Sequence, residues 1–156
     1  MKLLVLHGPN LNLLGEREPE VYGTMTLVQL NARLKAFARK AGCALKIHQS
    51  NHEGELIDFL HAHRKSMHAV VFNPGAYTHY SYALRDAISS IRLPVVEVHL
   101  SDIKKREPFR RVSVIEPVCV AQISGHGWQS YTRAIELLLA RDASGSSGRN
   151  SDRRKS

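Results

Sequence analysis

Short apolar runs alternate with segments of helical period along most of this chain, and that alternation restricts the fold more than any other feature. Lys2–His7 is a continuous apolar run, as a strand buried on both faces must be. Ala44–Gln49, His68–Asn73 and Pro94–Leu100 read as further strands, and Val112–Ile123 as a fifth, with Pro117 as an interruption or edge bulge. Between them lie predicted helices. Thr26 and Gln29 form a capping-box pattern ahead of Leu27, Leu30, Leu34 and Phe37 at helical spacing, with Gly42 as the stop. Glu53–Lys65, Tyr80–Ile91 and Gln129–Ala140 follow. Alternating strands and helices imply a parallel sheet covered on both faces. The expected fold is therefore α/β, a flavodoxin-like doubly wound five-stranded sheet in the order 2-1-3-4-5. Its crevice lies beyond the carboxyl ends of strands one and three.

The 156 residues suit one domain with a real core. Residues 1–141 are expected to form it. Residues 142–156, rich in Ser, Gly and Arg without apolar periodicity, are expected to be a disordered tail. No apolar run approaches the ~20 residues of a membrane span, and the N-terminus has the character of a strand rather than a signal peptide. Cys43 and Cys119 form no CxxC pair and sit among apolar neighbours, which suits core packing and a reducing cytoplasm. The net charge of +8 invites a nucleic-acid reading. Residues 141–156, however, hold five basic and two acidic residues, leaving +5 on the body. That body suits a small anionic substrate as well as a polyanion, and no nucleic-acid-binding signature accompanies it.

Three loops converge on the expected crevice: His7-Gly8-Pro9-Asn10-Leu11-Asn12, Asn73-Pro74-Gly75-Ala76-Tyr77-Thr78-His79 and Glu97-Val98-His99-Leu100-Ser101. Asn, Gly and Pro belong in turns on their own account, but three such loops on one rim point to a site. The polar stretch from Gly15 to Gly23 has the character of a lid and carries Arg17 and Tyr22. A free phenol titrates near 10, and a nearby guanidinium favours the phenolate, so an Arg–Tyr pair here is a candidate base. The basic stretch Lys104–Arg111 lies on the same rim and supplies one or two candidate anion clamps. The nine histidines form no metal-binding pattern: His61 and His63 do not share a helix face, and His48 and His52 lack a third ligand. No P-loop or GxGxxG is present. Two readings remain beside an enzyme, a non-catalytic module binding an anion or RNA, and a flavin protein of the same fold.

Four segments in order, GPNLNLLGEREPEVYG, FNPGAYTHYSYALRDA, VEVHLSDIKKREPFRR and SGHGWQSYTRAI, closely resemble type II 3-dehydroquinate dehydratase over about residues 3–140. Val112 and His126 depart from that family's pattern, as does the tail. The resemblance implies anti elimination of water from 3-dehydroquinate through an enolate, giving 3-dehydroshikimate in the shikimate pathway. It implies no cofactor, no metal and no Schiff base, and a homododecamer built as a tetramer of trimers. It assigns Tyr22 as base, Arg17 as its electrostatic partner, Asn10 as holder of a water at the enolate oxygen, and His99 as acid oriented by Glu97. Asn73 and the backbone amides of Leu100 and Ser101 would hold the carboxylate, and His79 and Arg110 the ring hydroxyls. Asp86 would reach a neighbouring subunit's site.

Overall fold

The computed structural model describes residues 1–149 and contains one five-stranded parallel sheet. Strands β1 (Lys2–His7), β2 (Ala44–Gln49), β3 (Ala69–Asn73), β4 (Val95–Val98) and β5 (Ala121–Ile123) stand in the order β2-β1-β3-β4-β5. Every neighbouring pair is parallel. The helices are α1 (Pro19–Tyr22), α2 (Leu27–Lys40), α3 (Glu53–His63), α4 (Tyr82–Ile91) and α5 (Gln129–Arg149). The expected fold class and strand order are what the chain adopts.

The strand period of two divides the core. Leu3, Val5, Val71, Val96 and Val98 face a cluster with Leu30 and Leu34 of α2 and Ile135 and Leu138 of α5. Leu4, Leu6, Val70, Phe72 and Val95 face the other side, against Leu56 and Leu60 of α3 and Leu84, Ile88 and Ile91 of α4. Burial of both faces explains why β1 and β3 read as nearly continuous apolar runs. The capping box at Thr26 and Gln29 forms as expected, with each residue's side chain bonded to the other's backbone N–H.

Two elements differ from expectation. The stretch read as a strand from Val112 pairs with the sheet only at Ala121–Ile123. Before it, Pro117 sits in a 3-10 turn, Glu116–Val118, where its missing N–H costs nothing. Ser113 anchors the turn by accepting the Ile115 and Glu116 backbone N–H groups. The last helix continues past Ala140 to Arg149. No proline intervenes, Gly145 does not take the left-handed conformation that ends helices, and Ser144 turns its hydroxyl onto the Ala140 carbonyl. The rest of the expected tail, residues 150–156, lies outside the described residues. Among the described residues no helix is long and apolar enough to cross a membrane.

Candidate active site

The loops after β1 and β3 meet so closely that two glycines are obligatory. A Cβ on Gly8 would lie 2.5 Å from the Pro74 carbonyl oxygen, and Gly8 N–H donates to the Asn73 carbonyl at 2.7 Å. Gly75 has φ +58° and packs against Pro9. Asn10 takes a left-handed φ of 67°, which a short amide side chain tolerates. This junction, with the end of β4 and the segment from Arg17 to Tyr22, forms an open cleft.

Asn10, Arg17, Tyr22, Asn73, His79, His99, Leu100, Ser101 and Arg110 all line this one cleft. Glu97 sits behind it, fully buried. Asp86 does not line it; it is exposed on α4. Of the basic stretch Lys104–Arg111, Arg110 is the cation expected in the site; Arg106 also lines the cleft.

Arg106 changes the electrostatics of the lid. Its Nη1 donates to the Tyr22 hydroxyl oxygen at 2.9 Å, across 84 residues of sequence. That hydrogen bond raises the Arg106 pKa above its ordinary value. Arg17 lies over the Tyr22 ring instead, 5.2 Å from its centre, and pairs with Glu18 at 3.0 Å. Tyr22 is thus flanked by two guanidiniums, one at its oxygen and one at its face. The local sequence explains the turn that carries Tyr22: Pro19 starts the one-turn helix α1, and Gly23 ends it at φ 78°.

The acid–base end is built on β4. His99 Nε2 lies 2.7 Å from Glu97 Oε1, so Nδ1 is the ring nitrogen left to face the cleft. Glu97 also accepts from Thr78, from Ser113 at 3.0 and 2.9 Å, and from Gln122 at 3.1 Å. Burial pushes its carboxyl up, but the His99 hydrogen bond and charge, with Thr78 and Gln122, outweigh burial and hold it below the usual carboxylate range. A buried carboxylate with this many donors stays ionised and fixes the imidazole plane. The adjoining turn is held from outside: the Leu100 and Ser101 carbonyls accept the Gly127 and Gly125 N–H groups at 3.0 and 3.1 Å. The peptide between Leu100 and Ser101 is trans, so the Ser101 N–H points opposite to the Leu100 carbonyl. The late glycine motif thus anchors this turn. His79 Nδ1–H donates to the Val112 carbonyl at 2.7 Å, and burial lowers its pKa despite that bond, so the ring is neutral with Nε2 as acceptor.

Below the cleft, His7 is fully buried at the end of β1 and its pKa is lowered from 6.5 to about 4, by burial first, against a raising bond to Asn31 and with a small push from His48. Because the folded value is depressed, His7 contributes stability that is complete above pH 6.5 and is lost as pH falls towards 4. The loss is on the order of 3 kcal/mol. Urea unfolding between pH 7 and pH 4 should show it, and His7→Gln should flatten the profile; parallel profiles for the two proteins would contradict the assignment.

A family model for class II dehydroquinase matches residues 1–139. A 3-dehydroquinate dehydratase of Roseiflexus castenholzii is 56% identical over 139 residues, covering 89% of this chain and 88% of that protein. One of Bacillus pumilus is 58% identical over 137 residues, covering 88% and 93%. The crystal structure of a type II dehydroquinase from Butyrivibrio crossotus superposes with a TM-score of 0.88 at 44% identity, covering 89% of this chain and 97% of its own. With its flavodoxin-like sheet, its cleft at the β1–β3 crevice and relatives that are hydro-lyases, this chain belongs to the class II dehydroquinase family.

Proposed function

We propose that this chain eliminates water from 3-dehydroquinate to give 3-dehydroshikimate, with Tyr22 as base and His99 as acid. The observation that carries the reading is the pairing of a guanidinium-flanked phenol with a carboxylate-held imidazole in one cleft. Tyr22, as phenolate, takes a proton from the carbon beside the ring ketone. The electron pair moves to the carbonyl oxygen as an enolate, which a water held by Asn10 stabilises by hydrogen bonding. His99 delivers a proton from Nδ1 to the departing hydroxyl, the C–O bond breaks, and the ketone re-forms conjugated to a new C=C bond. Asn73 and the amides of Leu100 and Ser101 hold the carboxylate, and His79 and Arg110 the ring hydroxyls. Arg17 and Arg106 stabilise the phenolate. None of these steps uses a metal, a cofactor or a Schiff base. Substrate carrying deuterium in one defined configuration beside the ketone tests the geometry. Anti elimination removes the label trans to the leaving hydroxyl; loss of the cis label would contradict these roles.

The proposed assembly is a homododecamer, a tetramer of trimers, in which Asp86 reaches a neighbouring subunit's site. In support, Tyr82, one helical turn before Asp86, is 65% exposed, and Tyr80, Phe109 and Val112 add exposed apolar surface. Asp86→Ala should raise KM in the assembled protein while leaving the fold intact. A stable monomer with normal KM would argue against a shared site. The proposed setting is the shikimate pathway in the cytoplasm, which the two free thiols, Cys43 and Cys119, fit.

A further inference from the structure

The step sequence above uses Asn73 but none of the groups beneath it, and those groups form one continuous hydrogen-bonded chain. Asn73 ends β3 and is buried. Its Oδ1 accepts the Gly75 backbone N–H at 3.1 Å, which fixes which end of the amide is oxygen. Nδ2 is therefore the atom 3.0 Å from the Tyr131 hydroxyl, and it donates. Tyr131 is fully exposed to neither solvent nor cleft: it lies at 0% exposure in the first turns of α5. Its oxygen has one other partner among the described residues, His7 Nδ1 at 2.9 Å. Since Asn73 donates to that oxygen, the phenol proton goes to His7 Nδ1. The His7 ring proton is then on Nε2, 2.9 Å from Asn31 Oδ1, which accepts it.

The opposite tautomer fails. An Nδ1–H would place two donors on the Tyr131 oxygen and leave the phenol proton buried without an acceptor, a costly arrangement. The direction of every bond from Gly75 to Asn31 thus follows from one backbone N–H. Burial keeps His7 neutral and pushes the Tyr131 hydroxyl above its ordinary range, so both stay in the forms the chain requires.

We propose that Tyr131, backed by His7 and Asn31, is a positioning residue for ligand binding: it engages one Nδ2–H of Asn73 and thereby turns the other into the cleft, towards the anionic end of the substrate. An asparagine amide has two N–H donors and flips readily if neither end is held. Here Gly75 holds the oxygen and Tyr131 holds one N–H, so the remaining donor has one direction left. α5 and α2, which touch the cleft through no catalytic group, contribute to affinity through this chain. The inference rests on the dehydratase reading for the identity of the ligand, not for the hydrogen bonds themselves.

The test is a double-mutant cycle between Tyr131 and Asn73. Tyr131→Phe keeps the ring and removes the oxygen. It should raise KM for 3-dehydroquinate about tenfold, the worth of one polar contact, with kcat nearly unchanged, because a carboxylate grip acts on ground and transition states alike. In an Asn73→Ala background the same change should leave KM where Asn73→Ala put it. Titration with quinate, a non-reacting ring carboxylate, should repeat the pattern in Kd. Equal losses in both backgrounds, or an unmoved KM in a folded Tyr131→Phe protein, would overturn the proposal. Should Tyr131→Phe fail to fold, ¹⁵N NMR of the His7 ring in the unmodified protein decides: Nε2–H is expected, and Nδ1–H would overturn it. Failure of the unmodified protein to turn over 3-dehydroquinate strikes at the dehydratase reading instead, and the quinate cycle still decides the role of Tyr131.

Discussion

Replacing Tyr22 with phenylalanine should lower kcat by about 10²–10⁴ while leaving the fold and KM nearly unchanged. The substitution deletes one oxygen atom, the one that Arg106 Nη1 touches at 2.9 Å. The ring remains to pack beneath Arg17, 5.2 Å from its centre, so the lid keeps its seat. Arg106 loses a partner but retains Glu107, 3.6 Å from its Nε, and no buried cation is orphaned. Steady-state kinetics beside circular dichroism make the comparison. Near-full turnover in a folded Tyr22→Phe protein would mean that another group removes the proton.

His99→Ala should cost a similar factor in kcat, about 10²–10⁴, for a separate reason. The leaving hydroxyl then departs without a proton donor, which is the harder half of an elimination from an enolate. The fold should survive. Glu97 loses its His99 contact but keeps Thr78, Ser113 and Gln122, so its buried carboxylate stays hydrogen-bonded. Added imidazole should restore part of the rate by entering the space vacated beside Glu97. A variant that falls in stability as much as in rate, with no rescue, would make His99 a structural rather than a reacting group.

Much of this was legible in the sequence because the signals were local. Continuous apolar runs give buried parallel strands, and a Thr–Gln pair three residues apart gives a helix start. Strand order then brings Asn10, Asn73 and His99 together without any contact being known. What was hidden depends on contacts between distant residues. Arg106 was one of five cations in Lys104–Arg111, and nothing in its neighbours distinguishes the one whose guanidinium meets Tyr22 84 residues away. Tyr131 falls on the inward stripe of α5 and reads as an apolar core residue, while His7 reads as the last residue of a strand. Their pairing through Asn73 has no signature in spacing. The stretch from Val112 misled for the converse reason. Its valines have strand character, but Ser113 is recruited by Glu97 and Pro117 by a turn, so pairing begins only at Ala121.

The most direct measurement mixes the purified protein with 3-dehydroquinate in the presence of a chelator, before and after borohydride treatment, and follows the conjugated enone product in the ultraviolet. Turnover that neither reagent diminishes is expected, since the proposed proton transfers run through Tyr22 and His99. A folded, assembled protein that forms no enone, or one silenced by borohydride, would contradict it.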